Sequence, residues 1–210
     1  MQIIETGLQF GTLQTRKTNT LIVIHHSASN DVPASTIHNW HRQRGWAGIG
    51  YHFVIRKNGR IERGRPQAAV GAHAGAGYNG HSIGICLCGN FMNEKPDPRQ
   101  IASLKELITW LNQTYASQNP QGMDVKLHRD VAKTSCPGDL FPEQGIQEFC
   151  TAPGRKGEKT VEEWKSKLMQ EARESGLITE EHDPDETAPK WFVLAVALHL
   201  LEKTSPSENV

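Results

Sequence analysis

His128 and Cys136 stand eight residues apart, across a loop that contains Cys136-Pro137-Gly138, and the pair His25-His26 lies more than a hundred residues upstream. Imidazole and thiolate are side chains that can ligate a metal ion or move a proton near neutral pH. Taken singly, each has a plainer reading: a histidine beside an apolar strand is commonly a hydrogen-bonded core group, and buried, unreactive cysteine is common. The other cysteines form no second cluster. Cys86 and Cys88 alternate on one apolar segment, which is the spacing of core packing, and Cys150 stands alone. The chain has ten histidines, and seven of them fall between His25 and His81.

Those side chains need elements to carry them. Leu21-Ile22-Val23-Ile24 is an apolar, largely β-branched run, the signature of a buried central strand, and it ends in His25-His26. Pro33 to Arg44 places Ile37, Trp40 and His41 at helical spacing, with Gly45 as the stop. Tyr51 to Ile55 reads as a strand, and Asn58-Gly59 as a hairpin turn into Arg60-Ile61-Glu62. From Gly64 to Gly80 the chain is rich in Gly and Ala, which suits a loop along a cleft. Ser82 to Cys88 is a further strand, and Asp97-Pro98 opens a helix striped by Ile101, Leu104, Ile108 and Leu111. Val125-Lys126-Leu127 is a short strand that delivers His128. The first twenty residues read as an arm or edge strand around Ile3-Ile4. Strands alternating with helices make residues 21–150 a mixed α/β layer domain. Ala152 to Gly157 has the composition of a linker; beyond it, Val161, Trp164 and Leu168 stripe one helix, and Thr187 with Pro189 opens another. The expected division is a domain over 1–150, a linker over 151–160 and a small helical domain over 161–210.

The 210 residues carry 23 basic and 23 acidic side chains, 37% hydrophobic residues and 22% charged ones. This excludes a collagen-like or disordered chain and argues against a nucleic-acid partner. The balance hides an asymmetry: residues 153–210 carry a net −4 and residues 1–152 a net +4. The longest apolar run, Trp191 to Leu201, is well short of the ~20 residues of a membrane span. The opening residues lack the basic, apolar pattern of a secretory leader, and the four cysteines lack the spacing of a stapled domain, which points to a reducing compartment.

Five blocks occur together and in order: Ile24-His25-His26-Ser27-Ala28-Ser29; Gly45-Trp46 with Gly50-Tyr51-His52-Phe53; Gly71-Ala72-His73-Ala74-Gly75 with Asn79; Ser82-Ile83-Gly84-Ile85; and His128-Arg129-Asp130-Val131 with Ser135-Cys136-Pro137-Gly138. Over residues 20–142 the chain resembles the zinc-dependent N-acetylmuramoyl-L-alanine amidases, the family shared by phage amidases and peptidoglycan-recognition proteins. The resemblance implies the type 2 amidase fold, a mixed central β-sheet flanked by helices, here with a small C-terminal helical hairpin added. It implies His25, His128 and Cys136 as the ligands of one Zn²⁺, with His25 preferred over His26 as the first of its pair. Two imidazoles and a thiolate suit Zn²⁺, and three protein ligands leave a fourth position open for water, as a catalytic site requires.

Tyr51 matches the family's catalytic tyrosine, which holds or deprotonates the attacking water; its plainer role is that of a strand aromatic. Two residues before the cysteine ligand, phage amidases often have lysine. Here that position is Thr134, as in the active recognition proteins, with Lys133 one step earlier, so Thr134, Lys133 and the metal all stand as oxyanion stabilisers. His73 falls in the segment that lines the family's substrate groove; its other reading is a loop histidine bonded to a backbone carbonyl. His26 and His52 are expected behind the ligands or in the core, and His38, His41 and His81 are expected to be structural or solvated.

The implied activity is hydrolysis of the amide between N-acetylmuramic acid and L-alanine in bacterial peptidoglycan by a zinc-activated water. The expected setting is a phage or prophage endolysin, made in the bacterial cytoplasm and reaching the wall after release with the help of a holin. The rivals are a cytoplasmic amidase that recycles anhydro-muropeptides and a recognition module that binds muropeptides without cutting them; modules of the second kind typically lack the cysteine ligand. The tail has two readings, a wall-binding module or a docked stabilising appendage.

Overall fold

The computed structural model describes residues 1–151, 170 and 173–176. By its internal contacts the chain divides into two units, Met1–Gly157 and Glu158–Val210. The expected tail helices, and the two readings of the tail, lie outside the described residues.

The first unit is a six-stranded mixed sheet with helices on both faces, as the sequence implies. Its strands are β1 (Ile3–Ile4), β2 (Leu21–His26), β3 (Phe53–Ile55), β4 (Ile61–Arg63), β5 (Ser82–Leu87) and β6 (Asp124–Leu127), in the spatial order β1-β4-β3-β5-β2-β6. Only the β3–β4 hairpin is antiparallel; β2 runs parallel to both β5 and β6, and β3 parallel to β5. Every residue of β2 and of β5 is buried, which is why both read as unbroken apolar runs rather than as alternating ones.

The two-residue period of the central strands sorts their side chains between the two faces of the sheet. Ile22 and Ile24 join Phe53, Ile55, Ile83, Ile85 and Leu87 on one face, covered by Leu104, Leu107, Ile108 and Leu111 of α3 (Pro98–Thr114). Val54, Cys86 and Cys88 lie on the other, under Ala34 and Ile37 of α1 (Ala34–Gln43). Asp97 caps α3: its carboxylate accepts the Arg99 N–H at 2.9 Å, and its own N–H donates to Gln100 Oε1 at 3.1 Å. The Gln100 amide then donates to the carbonyls of Ile55 and Cys88, which ties the helix start to two strand ends.

Three elements differ in detail from the expectation. The strand predicted from Tyr51 begins at Phe53, although the Gly64 N–H still donates to His52 O at 2.9 Å and the Arg65 N–H to Tyr51 O at 2.8 Å. The Gly/Ala-rich loop contains one helical turn, α2 (Ala76–Asn79). After the one-turn helix α4 (His128–Val131), a further helix, α5 (Glu143–Thr151), buries Ile146 and runs into the first residue of the expected linker.

Candidate metal centre

His25 and His26 end β2, and the strand's alternation sends them to opposite faces. His25 is registered with Cys86 and His26 with Leu87. His26 therefore enters the α3-side core, 5.8 Å from the Phe91 ring, where its Nδ1 accepts the Phe91 N–H at 3.1 Å. His25 is left on the face toward which the segment after β6 returns. There β6 stops at Leu127 because the Asp130 carboxylate takes the Leu127 N–H at 2.7 Å, and His128 opens α4. The chain loops back so that the Arg129 N–H donates to Cys136 O at 2.9 Å, and the Gly138 N–H closes the turn on Ser135 O at 2.7 Å.

The result is a convergence of one ligand atom each from His25, His128 and Cys136, all within 4.8 Å of one another; among the described residues this is the one such cluster. His25 Nδ1 faces Cys136 Sγ at 3.9 Å, and the His25 and His128 rings lie 4.4 Å apart. Burial, reinforced by the neighbouring histidines His73, His128, His26 and His52, holds the His25 pKa far below its ordinary value, and burial lowers that of His128. Both imidazoles are thus neutral and able to ligate. Burial pushes the Cys136 thiol up to about 11, although the His26 N–H at 3.4 Å and the charge of Arg129 favour the thiolate.

This donor set fits a zinc ion. Zn²⁺ with bonds of about 2.0–2.3 Å would hold its ligand atoms roughly 3.5 Å apart, so the side chains would have to draw in by no more than about 1.3 Å. A dication also supplies the charge that the Cys136 thiolate lacks in this buried setting.

Around the cluster, Tyr51 packs 5.0 Å from the His25 ring. Burial, then the Cys86 and Cys136 thiols, raise its phenol well above the usual value, so it keeps its proton. Thr134 Oγ1 accepts the Cys136 N–H at 3.2 Å, and Lys133 is exposed. A row of rings leads inward from the surface: Trp46, 40% exposed, sits 4.6 Å from His41, and His41 sits 5.6 Å from Tyr51.

His73 stands directly behind the cluster and hydrogen-bonds the backbone of Ser82. It is buried, with Nδ1 at 3.0 Å from His25 Nε2 and Nε2 at 3.5 Å from Ser82 Oγ, so both ring nitrogens face protein. Sequence reasoning also gave no role to Asn79, whose side-chain oxygen accepts the N–H groups of His73 and Ala74.

Four other histidines share one role. The Nδ1 atoms of His26, His38, His41 and His52 accept the backbone N–H groups of Phe91, Ile49, Gly50 and Gly84 at 3.1, 3.3, 3.0 and 2.9 Å. These bonds require neutral rings, and burial lowers the pKa of all four, His41 to about 4.

Comparison with known proteins places these features in context. Residues 15–139 match the family described as N-acetylmuramoyl-L-alanine amidase. The endolysin of Enterobacteria phage T3 is 40% identical over 130 residues, which is 58% of this chain and 82% of that protein. Among solved structures, N-acetylmuramoyl-L-alanine amidase LysC from Clostridium intestinale URNW is 41% identical, with a TM-score of 0.65, covering 70% of this chain and 95% of that one. Drosophila PGRP-LB is 26% identical, with a TM-score of 0.62 over 76% of this chain and 99% of its own.

Proposed function

The chain belongs to the N-acetylmuramoyl-L-alanine amidase family, and we propose that it hydrolyses peptidoglycan at a Zn²⁺ held by His25, His128 and Cys136. Its activity is that of an amidase, acting on the bond between N-acetylmuramic acid and the L-alanine that opens the stem peptide. The observation that carries the metal reading is the convergence of two imidazoles and one thiol from the ends of β2 and β6, with no carboxylate closing the set among the described residues.

A Zn²⁺ bound there supplies a Lewis acid and lowers the pKa of water toward neutrality. The chain's own residues do the rest. Tyr51, protonated and packed beside His25, would hold the attacking water and relay its proton, taking it from the water as the phenol gives its own to the departing L-alanine nitrogen. Thr134 accepts the Cys136 N–H and so keeps its own O–H proton to donate to the carbonyl oxygen as negative charge develops on it. The rings of Trp46 and His41 buttress Tyr51 from the surface side. The likeness to phage endolysins supports the reading that the chain meets its substrate in the cell wall after release from the cell that makes it. The Cys136 ligand favours catalysis over recognition alone.

The test combines product identity with metal content. Digestion of purified sacculi should release stem peptides with a free L-alanine amino terminus while the glycan strands stay intact. The protein should carry about one zinc per chain, lost in His25→Ala, His128→Ala and Cys136→Ala, each of which leaves two ligands. Cut glycosidic bonds, or full zinc occupancy in Cys136→Ala, would refute the reading.

A further inference from the structure

His73 plays no part in the chemistry above, yet the protein is built around its ring. A Cβ on Gly71 would lie 2.6 Å from His73 Cδ2, and a Cβ on Gly84 would lie 2.6 Å from both Cδ2 and Cγ. Gly84 sits inside β5, where a glycine weakens the strand and marks a close approach. The loop that carries His73 is tied down by Asn79, whose side-chain oxygen accepts two successive N–H groups at 2.9 and 2.8 Å.

The hydrogen bonds around the ring have a direction. The Ser82 hydroxyl donates its proton to Tyr78 O at 2.7 Å, so toward His73 Nε2, 3.5 Å away, it can only accept. The His73 proton then resides on Nε2, and Nδ1 is a bare acceptor 3.0 Å from His25 Nε2. The bond between the two histidines takes its proton from His25 Nε2. That leaves the lone pair of His25 Nδ1 facing Cys136 Sγ.

We propose that His73 is a positioning residue for the metal centre: by accepting the Nε2–H of His25 it fixes both the tautomer and the orientation of that ligand. The inference rests on the metal reading of His25, His128 and Cys136. Metal-ligating histidines generally donate their second N–H to a carboxylate, carbonyl or water. Here the acceptor is a second imidazole, itself buried and with both ring nitrogens facing protein. It orients His25 without adding a negative charge beside the thiolate. Two glycines, one asparagine and one serine exist in this arrangement to hold that acceptor in place.

Two measurements test this. In ¹⁵N-histidine-labelled, metal-free wild-type protein, long-range ¹H–¹⁵N spectra should show His25 and His73 each protonated on Nε2 and bare on Nδ1. A proton on Nδ1 of either residue overturns the proposal without recourse to any variant. In the second, zinc affinity is read by chelator competition. His73→Phe, which fills the space but offers no acceptor, should bind zinc about 10–100-fold more weakly. His73→Asn, whose side-chain oxygen reaches the Nδ1 position, should recover most of that loss, while the melting temperature of the metal-free protein reports folding separately. Wild-type affinity in His73→Phe overturns this proposal alone; a wild-type protein that binds no zinc overturns the metal reading with it.

Discussion

Replacing Thr134 by valine tests two jobs proposed for one hydroxyl, whose losses differ in size. Oγ1 accepts the Cys136 N–H at 3.2 Å, which shapes the loop that presents the thiol, and in the proposed mechanism its own proton goes to the substrate oxygen. Valine preserves the side chain's shape and removes both functions. The structural loss is one neutral hydrogen bond at a partly exposed position, about 1 kcal/mol because water can replace the acceptor. In a chain of this length that lowers the melting temperature by about 2–4 °C. The catalytic loss is much larger, since removing one oxyanion donor costs about 10²–10³ in kcat. Steady-state kinetics on a soluble muropeptide, with zinc content and melting temperature measured on the same preparation, should show kcat falling by that factor while zinc stays bound and KM moves little. Thr134→Ser should restore both properties. If Thr134→Val, fully loaded with zinc, turns over within about threefold of wild type, the hydroxyl is no oxyanion donor. Lys133→Ala would then be expected to show the loss instead.

Tyr51→Phe should leave zinc content and melting temperature unchanged and lower turnover by about 10²-fold or more, and undiminished turnover would return Tyr51 to a packing role. The four histidine acceptors make a statement about pH. His26, His38, His41 and His52 resist protonation when folded, whereas in the unfolded chain they take up protons near pH 6.5. Stability is therefore greatest above that pH and falls as the pH drops from about 6.5 toward the folded-state value, about 4 for His41. Thermal melts of the metal-free protein between pH 7.5 and 4.5 check this, and a flat profile would sink it. Truncation after Thr151 should preserve zinc binding and cleavage of a soluble muropeptide, because the ligand cluster and the family match both lie within residues 15–139. If the tail attaches the enzyme to the wall, the truncated form should sediment less with sacculi; if it docks, sedimentation should hold and the melting temperature should drop. A folded truncated form unable to cut the soluble substrate would show that the tail shapes the active site.

The sheet was legible because its central strands are buried on both faces and so carry runs such as Leu21 to Ile24 that no surface segment would tolerate. The His25-His26 pair was legible as a motif, but the reason for preferring its first member emerges only from the register that sends His26 into the α3-side core. That His73 stands behind His25 was not legible, because nothing local in the sequence records that the pairing of β2 with β5 brings residue 73 there. Only long-range geometry does that. Helix α5 was overlooked although Ile146, Phe149 and Cys150 are spaced as a helical stripe. Three apolar positions in nine residues make a weak pattern, and the packing against the core supplies the rest.

The order of the proposed ligands along the chain has a consequence for when the enzyme becomes an enzyme. His25 and Cys136 are separated by 111 residues, and the strand that leads to the second ligand, β6, is the last one of the sheet and pairs directly with β2. A ribosome that has made only the first hundred residues has produced a single ligand. Any fragment ending before Cys136 lacks the thiol. The centre can assemble only after β6 has closed on β2, so a product of synthesis interrupted before Cys136 should carry no hydrolytic activity into the cell that made it.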